Sequence, residues 1–295
     1  MAPALAVATL VFITVIWGTT FVVVKGALDD ISVPLLLALR FTLAALLLSW
    51  VRIDRRALVP ALVLGLLAFA GFATQTIGLS ITTASKAAFI TGLSVVITPM
   101  VAAAFLRQRI GPRVHVAAVL ATSGLGLMTL TGVSGVNAGD VWVVGAAVAY
   151  ALYIVYLGEV ANRVGALSLA GLQHWPMAGL AWLWALPALP ELTQLQGSTY
   201  ASVIYLGAVA TALVAVLHTY AQRVVPAHLA ALIFVLEPVF AAAFAYALLG
   251  ETLGLLGWVG GILIVVAMLV TEMRFKRPVG AGSAPVREPA ALQDG

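Results

Sequence analysis

"AHLAALIFVLEPVF", Ala227–Phe240, repeats without a gap the pattern of "ASKAAFITGLSVVI", Ala84–Ile97, 143 positions earlier. Ala84, Ala87, Ala88, Ile90, Leu93 and Val96 fall on Ala227, Ala230, Ala231, Ile233, Leu236 and Val239. The register continues through Leu106, Gly111, Val116 and Leu120, which meet Leu249, Gly254, Val259 and Leu263. An offset of 142 places Gly65 on Gly207, and one of 133 places Trp17 on Tyr150 and Arg40 on Gln173. The chain therefore reads as two copies of one unit, residues 1–132 and 133–275, followed by a Pro-, Gly- and Ala-rich segment, 276–295, with the composition of a disordered cytoplasmic tail. The copies differ in chemistry: Glu237, followed by Pro238, stands where the first copy has Ser94, and "GETLG" replaces "RQRIG".

Composition sets the environment of that unit. Of the 295 residues 63% are hydrophobic and 9% charged, and mean hydropathy is +1.11, whereas soluble chains carry roughly 25% charged residues. A helix needs about 20 apolar residues to cross a bilayer. Cutting at charges, Pro and Gly predicts ten spans: 4–28, 33–51, 57–80, 84–105, 113–131, 139–161, 166–187, 198–222, 227–249 and 253–273. With the N-terminus inside, Arg52, Arg55, Arg56, Arg107, Arg109, Arg113, Arg163, Arg223, Arg274, Lys276 and Arg277 all fall on the cytoplasmic side. Only Lys25 and Lys86 lie outside, with Asp29, Asp30, Asp140, Glu191 and Glu251, as the positive-inside rule expects. Five spans per copy is an odd number, so the second copy enters from the opposite face. The expectation is an all-α membrane protein of ten transmembrane helices, built as two inverted five-helix repeats around a central cavity, with both termini cytoplasmic. Inverted repeats are a common build of secondary transporters, with the solute near the midplane.

Several chemistries find no support. The chain has no cysteine, and His115, His174, His218 and His228 show no paired spacing. No Gly-x-Ser-x-Gly, zinc signature or phosphate-cradling loop is present. An enzyme, a metal site and a cofactor are not expected. Scattered loop charges give no nucleic-acid surface, and without a nucleotide-binding domain a primary pump is disfavoured. The repeat alone leaves a channel open.

Candidate residues are those that lipid tolerates poorly. An ionised side chain at mid-membrane costs about 2.5–3.5 kcal/mol on insertion scales, so Glu237 either lines a path, accepting an ammonium or a proton, or fixes a kink at Pro238. Arg40 either binds a solute carboxylate, or makes a structural pair or snorkels outward near Asp29 and Asp30, the readings the sequence favours. Lys25 and Lys86 read as solvated helix-end charges. Thr211, Ala215, His218 and Gln222 fall on one face of an α-helix, and His218 is a candidate proton carrier or an interhelical hydrogen-bonding group. Trp17, Thr20, Phe72, Gln75, Phe89, Tyr150, Tyr153 and Phe234 supply aromatic walls with hydrogen-bonding groups, which suit an amphipathic ligand. Ordinary helix packing accounts for any one of them as well.

"IWGTTFVVVKGAL" in the first span, Arg40 in the second, "TTASKAAF" entering the fourth and "LEPVFAAAFAYALLGE" in the ninth resemble EamA-type members of the drug/metabolite transporter superfamily over residues 5–273. Within it the ten-helix aromatic amino-acid exporters of the YddG type are the most similar branch. The resemblance implies alternating-access export of amino acids, aromatic ones included, or of another small metabolite or amphipathic drug, across a bacterial inner membrane. It implies a small-molecule substrate and a lipid bilayer as partners, a monomer or homodimer, and a cavity walled by spans 1, 3, 4, 6, 8 and 9.

Overall fold

The computed structural model describes residues 2–106, 111–130, 137–160, 163–222, 224–225 and 233–272. Among the described residues there is no strand, and the helices follow the hydropathy. Helix α1 spans Pro3–Ala27, α2 Val33–Leu47, α3 Leu58–Ile81, α4 Ala84–Leu106, α5 Pro112–Leu130 and α6 Ala138–Val160. Helices α7 (Ala166–Leu172) and α8 (His174–Ala185) follow, then α9 (Gly197–Ile204), a π-helical segment Tyr205–Leu213 and α10 (Val214–Gln222). Helices α11 (Glu237–Leu249) and α12 (Leu255–Glu272) complete the described part. Prolines sit in the first turn of α1, α2 and α11, where no helical hydrogen bond is lost. Gly250, at φ 64°, ends α11 in the left-handed conformation that glycine adopts without strain.

Among the described residues, five helical stretches are long and apolar enough to cross a membrane: 4–27, 55–81, 84–105, 138–157 and 197–218. Four more are apolar but shorter, among them Val33–Leu47, whose 15 residues rise about 22 Å. Leu183, Phe105, Trp50 and Leu255 stand more than 65% exposed, as side chains in contact with acyl chains would.

Three boundaries depart from the sequence expectation. The seventh span is broken at Gln173 and continues past Ala185 as a 3-10 segment, Leu186–Thr193. The eighth is π-helical in its middle, so the α-helical stripe from Thr211 to His218 does not hold as drawn. In the ninth, the turn at Val235–Leu236 places Pro238 in the first turn of α11, not inside a continuous helix. Residues 227–232 of that span, Arg107, Arg109, Arg223, His228, Arg274, Lys276, Arg277 and the tail 276–295 lie outside the described residues, as does the side chain of Gln222.

The two sequence copies interleave. The most extensive helix pairings, α5 on α12, α3 and α4 on α6, α2 on α8, and α1 on α11, each join the first copy to the second. Small residues bring these pairs close. A Cβ at Gly18 would lie 2.8 Å from Phe240 Cβ, one at Gly78 2.6 Å from the Gly139 carbonyl, and one at Gly124 2.5 Å from the Gly260 carbonyl. Such close approach is how membrane helices gain packing without a hydrophobic drive between them.

Candidate functional site

Arg40 on α2 is 3% exposed, and its Nε donates to Thr211 Oγ1 at 2.8 Å. Its guanidinium carbon lies 4.6 Å from the Phe72 ring centroid. Arg40 therefore does not snorkel: its α2 position turns inward against α3 and the π segment. Thr211 is held there by local geometry, because its hydroxyl donates to the Leu206 carbonyl five residues back, the spacing of a π turn. Among the described residues Arg40 donates through Nε alone and no carboxylate pairs with it. A buried cation with idle amino groups is costly unless an anion reaches it.

Two clusters of aromatic and polar side chains stand out, the first of them against this arginine. In the first, Phe72 stands edge-on to Phe41 and to Tyr150, with centroids 5.4 and 5.7 Å apart. Tyr150 on α6 donates to Gln75 Oε1 at 3.3 Å, and Gln75 Nε2 donates to Thr91 Oγ1 on α4 at 3.0 Å. The Tyr150 ring fits because position 71 is glycine: a Cβ there would lie 2.5 Å from its Cε1. Below it, Tyr153 donates to Gln173 Oε1 at 2.9 Å, at the break in the seventh span.

In the second cluster Trp17, His218 and Phe234 form a closed triangle. The centroids are 5.7 Å apart for Trp17–His218 and 5.3 Å for each of the other two pairs. His218 Nε2 is buried with no hydrogen-bond partner among the described residues. Helix α4 packs on α11 beside this second cluster: a Cβ at Gly92 would lie 3.2 Å from Met268 Cε and 3.6 Å from Pro238 Cγ. Glu237, beside that proline, and Arg40 are both within electrostatic reach of Tyr150.

The remaining expected residues lie elsewhere. Phe89 is 3% exposed and packs into α12, where Gly261 makes room for its ring; it is a packing residue, not a wall. Thr20 turns its hydroxyl back to the Trp17 carbonyl. Thr211 faces Arg40 while His218 faces Trp17, because the π segment between them breaks the α-helical register. A groove of about 490 Å³, lined by Phe69, Thr74, Trp142, Leu183 and Trp184, opens on another face of α3.

Lys25 and Lys86 are not solvated ends. Lys86 is 3% exposed and pairs with Asp140 Oδ2 at 2.8 Å, while Thr82 donates to Asp140 Oδ1 at 2.7 Å. Lys25 donates to the carbonyls of Leu79 and Thr82 at 2.8 and 2.7 Å, closing the C-terminal end of α3. Glu251 accepts from the amides of Ala84 and Ser85 and from the Ser85 hydroxyl at 2.8–3.0 Å, capping α4 from the other copy. Sequence reasoning missed this network and Thr91. The latter had a signal, since the 143-residue register sets Thr91 on Phe234.

The EamA-like transporter family matches residues 4–130 and again 137–273. The chain belongs to that family. An uncharacterized transporter of Archaeoglobus fulgidus is similar to it, 30% identical over 272 residues that cover 90% of this chain and 85% of the relative. A crystal structure of a protein 20% identical in sequence shares the fold at TM-score 0.63, covering 91% of this chain and 95% of the other. With its apolar helices this EamA-like chain is a multi-pass membrane protein, a transporter of small molecules and not an enzyme.

Proposed function

We propose that this transporter exports amino acids, aromatic ones included as in the YddG-type branch, across a bacterial inner membrane by alternating access. The observation that carries the reading is Arg40: a buried guanidinium whose terminal amino groups have no partner among the described residues, set over the Phe72 ring of an aromatic cluster. A guanidinium fork matches a carboxylate in geometry and charge. Glu237, like Arg40 within electrostatic reach of Tyr150, suits the ammonium, and the aromatic faces suit the apolar side chain. Two matches of one family to successive segments support an inverted repeat of residues 1–132 and 133–275. So does a reciprocal contact: Gly65 abuts the Gln173 carbonyl, and its counterpart Gly207 abuts the carbonyl of Arg40, the counterpart of Gln173. With both termini inside, the Lys25–Lys86–Asp140–Glu251 network closes the outer face, and solute enters from the cytoplasm.

The test is uptake of labelled phenylalanine, tryptophan and threonine into proteoliposomes, with and without an imposed pH gradient. Saturable uptake of phenylalanine and tryptophan is expected. Accumulation only with the gradient marks proton coupling, and uptake that stops at equilibrium marks a facilitator. Failure of every amino acid to move would remove the substrate assignment.

A further inference from the structure

The two clusters occupy matching places in the repeat. Trp17 and Tyr150 are 133 positions apart, and Gln75 and Thr91 each lie 143 before His218 and Phe234. Gly65 and Gly207, lower in the same two spans, are 142 apart. The extra residue is accommodated by the π-helical segment Tyr205–Leu213, which contains Gly207 and ends before His218. One constellation of three helices is thus filled twice, once as Tyr150–Gln75–Thr91, joined by hydrogen bonds of 3.3 and 3.0 Å, and once as three stacked rings.

We propose that these triads are the two unlike walls of one solute site, and that Gln75 and Thr91 set its specificity by hydrogen-bonding a side-chain hydroxyl of a solute whose ring lies on Trp17, His218 and Phe234. This rests on the amino-acid reading above and names the class within it: aromatic amino acids that carry a ring hydroxyl. Three features support it. Helix α4, which carries Thr91, packs on α11, which begins three residues after Phe234. Among the described residues the Gln75 amide and the Thr91 hydroxyl bond only to each other and to Tyr150, so a solute hydroxyl can take over a bond without leaving a backbone group bare. The aromatic wall also carries an unpartnered ring nitrogen, His218 Nε2, able to bond a polar atom of the bound solute. A site that hydrogen-bonds a hydroxyl rejects the analogue lacking it far more strongly than an apolar pocket rejects an added one.

Tyrosine and phenylalanine differ by that one hydroxyl. In proteoliposomes holding the full chain, the wild type is expected to favour labelled tyrosine over phenylalanine at least tenfold in kcat/KM. Thr91→Val and Gln75→Leu should bring the ratio to within about twofold of unity, Thr91→Ser should keep it, and Phe234→Leu should slow both solutes together. A ratio, read on one preparation, is insensitive to how much protein folds. A wild type that transports both without preference, or a Thr91→Val protein that keeps the preference, overturns the proposal and leaves amino-acid transport standing. A wild type that moves neither overturns both.

Discussion

At the residue scale, Arg40 shows how burial changes a reading. Its sequence neighbourhood suggests a side chain reaching for Asp29 and Asp30, and nothing local reveals that Thr211, 171 residues away, accepts from it. The acceptor was nevertheless among the residues singled out from spacing, for a different reason. Replacing Thr211 by Val removes the only hydrogen bond Arg40 makes among the described residues; a buried donor left unsatisfied costs about 1–3 kcal/mol. The expected outcome is a matching loss in thermal stability in detergent. Glu237→Gln keeps the shape but not the charge, and should raise the KM for a zwitterionic amino acid more than it lowers stability. A Glu237→Gln protein with unchanged KM would leave that carboxylate a structural role only.

At the element scale, the span pattern was legible because apolar length is a strong signal: α1, α3, α4 and α6 begin and end within a few residues of expectation. What the sequence hid are irregularities that depend on partners. The π segment is held by Thr211 bonding five residues back while Arg40 bonds it from α2, and the break at Gln173 sits where Tyr153 donates to its side chain. Deleting Ala212 should restore α-helical register and turn His218 by about 100° away from Trp17. The expected result is loss of transport with helical content by circular dichroism unchanged; retained transport would count against the register argument. Gly71→Ala places a methyl group 2.5 Å from the Tyr150 ring, and overpacking of that kind costs about 1–3 kcal/mol, readable as a lower melting temperature.

At the scale of the whole molecule, two sequence copies are packed across each other and tied at one end by charge. Lys86–Asp140 is buried, whereas Arg163–Glu159 is an exposed pair one turn apart. Breaking the first by Asp140→Asn should cost about 3–5 kcal/mol, and Glu159→Gln about 0.5 kcal/mol or less, compared by unfolding in detergent. The ionic end was illegible in sequence, since Lys86 at the tip of an apolar helix looks the same solvated or paired. The repeat reading, by contrast, has a plain signal in the 143-residue register of glycines and alanines, and the family matches the chain twice, over 4–130 and 137–273.

The most direct measurement is uptake of labelled phenylalanine by proteoliposomes bearing wild-type protein or Arg40→Gln. If Arg40 holds the solute carboxylate, wild-type uptake saturates and Arg40→Gln raises KM at least tenfold, with phenylalaninamide a poor competitor of the wild type. Equal KM in the two proteins, or equal competition by the amide, would contradict it.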